Sequence, residues 1–352
     1  MILIRLPSEE MSLAVSEFLK EWANASDRVL VHTSGSTGKP QPLWVLKEKM
    51  RASARITCDS LNLHEGAAAL LCMSLDYIAG KMMVVRAVER KLRLICVEPI
   101  GHPLAVTQGM MYDFSSDDPT PYPVTLDTPV TFAAMVPLQV FNTLQVEEER
   151  RRLMDIRHLI IGGGAVDERM SKQLKEFPNA VWSTYGMTET LSHIALRRLS
   201  GEGASLWYTP FEGVHLSLNQ DNCLVIDAPH VCEQRLVTHD IAELKEDGSG
   251  GFRIIGRKDN VICSGGVKIQ MEEVESFLRP LIDIPFMITK RKDAKFGEVP
   301  ALLYESTEEL SFAEPISHLP RYWQPHYCVR VDHLPLTETG KPARKEAERM
   351  VV

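Results

Sequence analysis

Between residues 8 and 22, apolar positions recur every three or four residues, the spacing of a helix with one buried face. Ser8 stands where a cap belongs, and Glu9 and Glu10 fall in the favourable first turn. The texture then switches. "RVLVHT" (28–33) is a short apolar run leading into a Gly/Ser loop, a strand signature. "LKEKMRASARITCDSL" (46–61) returns to helical spacing. Further short apolar runs follow at 68–74, 92–98, 130–137, 157–163 and 180–186, with amphipathic helical stretches at 79–90 and 167–177. Short buried strands alternating with helices predict an α/β fold with a mostly parallel sheet. In such sheets ligand loops lie at the carboxyl ends of strands, so the turns after "RVLVH", "HLII" and "AVWST" are expected to open on one edge.

From about residue 205 the segments shorten. "VHLSLNQDNCLVID" (214–227) and "GFRIIG" (251–256) suggest an antiparallel, β-rich part with Asn/Asp/Gly turns. Beyond the polar stretch 258–266, the pattern predicts a helix at 271–281, strands at 285–292 and 300–306, and a terminal helix within 340–350. The expected division is a large α/β domain with a β-rich part over residues 1–258 and a small mobile α+β domain over 259–352, with the boundary near Asp259.

Composition narrows the function classes. A chain 44% hydrophobic and 24% charged is ordinary for a soluble globular protein. The net charge of -8 argues against non-specific nucleic-acid binding. The seven cysteines are scattered, with no CxxC pair, as expected of reduced thiols in a cytoplasmic protein. The apolar start "MILIRLPSEE" is too short for a signal peptide, and no run approaches a membrane span. "EEERRR" (147–152) reads as a solvated helix face.

The densest chemistry lies at 33–39: Thr33, Ser34, Gly35, Ser36, Thr37, Gly38 and Lys39. Glycines admit an anion to the backbone, hydroxyls and amides donate to it, and lysine supplies charge, which together suit a phosphate chain. A Walker A loop would need glycine at Thr33 and Ser/Thr at Pro40. Five further motifs follow: "GGGAV" (162–166), "STYGMTET" (183–190), "THDIAEL" (238–244), "GRKDNVICSGGVKIQMEEVE" (256–275) and "LTETGKPAR" (336–344). Each alone has a plain structural reading: a tight turn, an exposed loop, a solvated acid, a linker with a capped helix, a basic tail.

Their order resembles the adenylate-forming superfamily of acyl-CoA synthetases, adenylation domains and luciferases, over residues 31 to about 345. Within it, "SGGVKIQMEEVE" and "RYWQPHYCVRVDHLP", with Ile269, Gln270, Trp323, Gln324 and Pro325, are most similar to the o-succinylbenzoate–CoA ligases of menaquinone synthesis. The resemblance implies that an aryl carboxylic acid attacks the α-phosphate of ATP with Mg²⁺, and that CoA then displaces AMP from the acyl-adenylate. It implies that Thr33 to Lys39 hold the β- and γ-phosphates, Thr188 contacts the α-phosphate, and Glu189 holds the metal. It implies that Gly163, Gly164 and Ala165 flank adenine with Tyr185 against its ring, and that Gly186 and Met187 also bind the nucleotide. Asp240 takes the ribose hydroxyls, supported by Arg257. Lys341 neutralises charge during adenylation, Ser264, Gly265 and Gly266 admit the pantetheine arm, and Asp259 is the hinge. Asp76, Tyr77, Lys81 and His193 are assigned to the acyl pocket.

Departures stand beside these. His239 occupies a position commonly Gly, Cys263 replaces a frequent lysine, and about 30 residues precede the phosphate loop. A ligase for another aryl or short-chain acid, or a non-catalytic nucleotide-binding member, stays open, as does a homodimer.

Overall fold

The computed structural model describes residues 9–32, 42–166, 168–337 and 342–351. In chain order come α1 (Glu9–Ala23), β1 (Arg28–His32), β2 (Pro42–Leu46), α2 (Lys47–Ser60), β3 (Ala68–Leu71), α3 (Ile78–Arg90) and β4 (Arg93–Cys96). Then follow β5 (Gln108–Asp113), β6 (Tyr122–Thr125), β7 (Phe132–Met135), α4 (Pro137–Leu144), α5 (Glu147–Asp155), β8 (His158–Ile161) and α6 (Glu168–Lys175). The chain continues through β9 (Ala180–Gly186), β10 (His193–Arg198), β11 (Thr209–Pro210), β12 (His215–Leu218), β13 (Cys223–Asp227), β14 (Leu236–Leu244) and β15 (Phe252–Arg257). It ends with β16 (Val261–Ser264), β17 (Val267–Gln270), α7 (Met271–Leu278), β18 (Phe286–Asp293), β19 (Gly297–Glu305), α8 (Ala313–Ser317), β20 (Tyr327–Val331) and α9 (Arg344–Met350).

Among the described residues the largest sheet has nine strands in the order β11-β10-β9-β8-β7-β3-β4-β5-β6. Its centre, β9-β8-β7-β3-β4, is parallel; the flanking strands are antiparallel. The central strands are short apolar runs because both faces are covered. Alternation still sorts their side chains. Ala69 and Leu71 of β3, and Phe132 and Ala134 of β7, join one core with Met50 and Cys58 of α2 and Met82 and Val85 of α3. Ala68, Leu70, Ala133 and Met135 point into the opposite core with Val140 of α4, Leu153 of α5 and Leu174 of α6. The result is three layers, helix on sheet on helix.

One expectation is overturned. β1 does not enter this sheet. It pairs antiparallel with β2, from Arg28↔Leu46 to His32↔Pro42, as a separate hairpin. In "PLWVL" only Val45 is buried and Trp44 is exposed, so its strand signal is short and easily merged with the helix that follows. The α5 segment is a solvated face only in part, since Glu149 is buried and bonds the His102 ring at 2.9 Å.

A four-stranded antiparallel sheet, β12-β13-β14-β15, packs Leu224, Ile226, Ala242 and Phe252 into the first core. The remaining strands form a sheet in the order β17-β16-β19-β18, with β20 parallel to β19. Its two cores, around Ile262, Val274, Ile288 and Leu302 and around Met287, Leu303, Ala347 and Val351, contain only residues from 262 onward. α9 is tied down by Arg344, whose guanidinium grips the buried Glu275 carboxylate at 2.5 and 2.9 Å. Among the described residues, no helix is long and apolar enough to cross a membrane.

Candidate active site

β8 and β9 are parallel neighbours, so the loop after Ile161 and the turn after Gly186 emerge side by side at their carboxyl ends. Gly163, at φ +80°, opens the first of these loops, and Gly164 rests on Pro137. Gly163 and Ala165 are exposed there.

The second loop is tightly built. A Cβ on Gly186 would lie 2.2 Å from Ser192 O and 2.5 Å from His193 Cα, so only glycine lets β10 return this closely. Thr188–Thr190 form a single 3₁₀ turn. Buried Thr190 fixes it: its Oγ1 accepts from Met187 N–H and lies 2.8 Å from Ser192 O. Leu191 follows at φ +65°, an unfavourable conformation held by its burial. Thr188 is buried, whereas Glu189 is exposed and its carboxylate has no ion-pair partner among the described residues. A lone free carboxylate suits Mg²⁺, which is commonly bound by one or two carboxylates, waters and substrate phosphates. No cluster of three or more metal-ligating side chains occurs among the described residues.

Tyr185 joins this turn to the antiparallel sheet. Its hydroxyl donates to Asp240 Oδ2 at 2.7 Å, and its ring meets Phe252 edge-on with centroids 5.1 Å apart. Burial first, and then the Asp240 carboxylate, push the Tyr185 phenol well above its ordinary range, so it stays a donor at any working pH. Asp240 Oδ1 accepts from Arg257 Nη1 at 2.8 Å. Arg257 also reaches Asp259 at 3.4 Å, and Asp259 accepts from His239 Nδ1 at 2.9 Å. Burial alone would raise the Asp259 carboxyl, but hydrogen bonding and charge from His239, with Arg257, outweigh it and hold it below the ordinary value. Asp259 lies in the 3₁₀ turn Lys258–Asn260, and Lys258 pairs with Asp221 at 2.6 Å.

The structure therefore brings together Gly163, Gly164, Ala165, Tyr185 through Glu189, Asp240, Arg257 and Asp259. Thr33 through Lys39 and Lys341 lie outside the described residues. Ser264, Gly265 and Gly266 stand elsewhere: Gly265 and Gly266, at φ +56° and +87°, make the two-residue turn of the β16–β17 hairpin, and Gly265 N–H donates to Phe296 O. Ser264 is buried.

The acyl-pocket candidates divide. Asp76 accepts from Ser74 Oγ at 2.7 Å in the exposed turn before α3, and Tyr77 is the residue preceding that helix. Lys81 points at α1: its Nζ donates to Leu30 O at 2.8 Å, lies 3.6 Å from Glu21 and sits over the Phe18 ring. In that position its amine already has a carbonyl acceptor and an acidic neighbour.

His193 is buried with partners the sequence did not reveal. Thr57 spends its proton on Ser53 O, so His193 Nε2–H donates to Thr57 Oγ1 at 3.3 Å. Nδ1 then accepts from Ser192, 3.1 Å away. Arg86 of α3 completes the cluster, donating to Ser192 Oγ at 2.6 Å and Thr57 Oγ1 at 3.4 Å. Arg86 is 2% exposed, and no acidic side chain pairs with it among the described residues. Burial lowers its pKa to about 10, which leaves it cationic at neutral pH. Burial, and then Arg86, push the His193 imidazole well down, so it is neutral there. The one sequence signal for Arg86 is a cation set inside the apolar run Met82 to Val88.

Known proteins are similar to this chain in sequence and fold. A 2-succinylbenzoate–CoA ligase of Bacillus cereus is 24% identical over 382 aligned residues, covering 98% of this chain and 73% of the relative. The crystal structure of an acyl-CoA synthetase (AMP-forming)/AMP-acid ligase II-like protein from Dyadobacter fermentans is 30% identical, with a TM-score of 0.62, covering 97% of this chain and 95% of that one. The o-succinylbenzoate CoA synthetase of Bacillus subtilis, solved with ATP and magnesium ion, shares the fold at a TM-score of 0.69 and 20% identity, covering 90% of this chain and 69% of that one. The family described as "AMP-binding enzyme" matches residues 6–215, more than half of the sequence, and this chain belongs to that family.

Proposed function

We propose that the protein is an ATP-dependent, AMP-forming acid–CoA ligase, and that its acid is o-succinylbenzoate. The observation that carries the nucleotide half is the Tyr185–Asp240–Arg257 assembly beside the Thr188–Thr190 turn. A carboxylate that receives one phenol and one guanidinium still has lone pairs to accept from two ribose hydroxyls. The backbone of Gly163, Gly164 and Ala165 borders the adenine, Tyr185 lies against its ring, and Gly186 and Met187 line the nucleotide site beside it.

The acid's carboxylate oxygen attacks the α-phosphorus, and pyrophosphate leaves. Two anions must meet, so stabilisation comes from preorganised donors and charge. Thr188 donates to the α-phosphate, Thr33 to Lys39 hold the β- and γ-phosphates, and Lys341 offsets the developing charge. Glu189 would hold Mg²⁺, which supplies charge neutralisation at the phosphates. The thiol of CoA then attacks the acyl carbon, giving up its proton; the C–O bond to AMP breaks and the thioester forms. Residues 259–352 act as the small domain, turning about Asp259 between the two steps and bringing Ser264, Gly265 and Gly266 toward the pantetheine arm.

Arg86 supports an acid with a second carboxylate. A buried cation with no acidic partner among the described residues, held through Ser192 three residues after Glu189, offers an anchor for an anion. Lys81 favours a second reading, a ligase for another aryl or short-chain acid, because its amine is already committed to Leu30 and Glu21. Pyrophosphate release across a panel of carboxylic acids, with and without CoA, separates the two. The highest kcat/KM with o-succinylbenzoate supports the first; benzoate or acetate outperforming it would leave the reaction class and remove the substrate.

A further inference from the structure

Gly256 of β15 and Gln270 at the end of β17 are in unusually close contact. A Cβ on Gly256 would lie 2.2 Å from Gln270 Nε2 and 2.5 Å from its Cδ. The missing methyl lets the amide lie against the strand, where Gln270 is 6% exposed. Both amide hydrogens are used: Nε2 donates to Arg257 O at 2.9 Å and to Glu272 Oε2 at 2.6 Å. Glu272 is itself fixed, since its Oε1 accepts from Asn260 and lies 3.9 Å from the Arg344 guanidinium. Arg257 is thus held at both ends, its side chain by Asp240 and Asp259, its carbonyl by Gln270. The grip also crosses the chain at Asp259, because Arg257 precedes that residue and Gln270 follows it.

We propose that Gln270 is a positioning residue for nucleotide binding: it fixes the Arg257 main chain, and through Arg257 the carboxylate of Asp240. The proposal rests on the reading of Asp240 as the nucleotide's acceptor. Two substitutions remove the grip by different routes. Gln270→Ala deletes the donor. Gly256→Ala deletes no polar group, suits ordinary strand backbone, and drives the Gln270 side chain from Cγ to Nε2 off the strand.

The test is AMP binding to the full chain by titration calorimetry. Each substitution is expected to weaken AMP about 5- to 10-fold, the worth of one hydrogen bond to a buried group. The double variant is expected to lose no more than either single one, because both break the same contact. Gln270→Glu supplies a pH readout. Its carboxylate would face Arg257 O and the Glu272 carboxylate, with Arg344 beyond, so it donates only when protonated. Its AMP affinity is expected to rise from pH 8 to pH 6 relative to wild type. If Gln270→Ala fails to fold, Gly256→Ala and Gln270→Glu still decide the matter. Variants that bind AMP as wild type does, or additive losses in the double variant, would overturn the positioning role while leaving the nucleotide site intact. A wild-type chain that does not bind AMP would overturn both.

Discussion

Asp240 and Arg257 are register partners on adjacent antiparallel strands, and their carboxylate and guanidinium meet at 2.8 Å. The pairing places a nearly buried carboxylate acceptor next to the Tyr185 turn. Asp240→Asn keeps the shape but removes the charge that holds Arg257 and Tyr185. The KM for ATP is expected to rise about tenfold or more, with the KM for the acid within about twofold. Tyr185→Phe, which removes one donor, should give a smaller rise in the same direction. Steady-state kinetics with each substrate varied in turn checks both.

Arg86→Met keeps much of the side chain's volume and removes the cation. For an acid bearing a second carboxylate, kcat/KM is expected to fall about 10- to 100-fold, the range of a charge-assisted hydrogen bond. A simple monocarboxylic acid should be affected far less. Equal losses for both acids would make Arg86 a structural member of the α3 core.

His193 gives a pH signature. Its folded pKa lies well below the ordinary histidine value because it is buried and faces Arg86. As pH falls below about 6.5, the unfolded chain takes up a proton that the folded protein excludes, so stability decreases. The loss grows by about 1.4 kcal/mol per pH unit until the folded pKa is reached. His158, held low by burial and then Arg157 and Arg198, acts in the same direction. Denaturant unfolding between pH 7.5 and 5.5 is therefore expected to show a shallower slope in His193→Gln than in wild type. Parallel slopes would contradict the buried neutral imidazole.

Asp259→Pro tests the hinge. Proline fixes φ and biases Lys258 away from the helical region it occupies in the 3₁₀ turn. It also removes the carboxylate that pairs with His239 and Arg257, so Asp259→Ala is the control. Pyrophosphate release is expected to persist in both variants. Thioester formation from isolated acyl-adenylate is expected to collapse only in the proline variant. Loss of both half-reactions together, or of neither, would count against a hinge at Asp259.

Much of the central sheet was legible because its strands are short apolar runs between helices of clear periodicity, as in "AALL", "FAAM" and "HLII". The β1–β2 hairpin was not, since the five residues of β2, with one buried side chain, leave too little alternation to read. In the site, Tyr185, Asp240 and Arg257 could be named from motif order, but their mutual contacts could not, because 55 residues separate Tyr185 from Asp240. The Arg86–Thr57–Ser192–His193 cluster draws on three distant segments; His193 could be named from the sequence, but its partners could not. Gln270 was visible as a letter in a motif. Its grip on Arg257 depends on the absence of a Cβ at Gly256, a contact that only the folded strands create.

Attack of a carboxylate on the α-phosphate can be followed by phosphorus NMR of ATP, Mg²⁺ and enzyme with and without o-succinylbenzoate. With the acid, AMP and pyrophosphate are expected in equal amounts, with turnover that accelerates when CoA is added and no orthophosphate. Release of ADP and orthophosphate, or ATP consumption that ignores the acid, would contradict it.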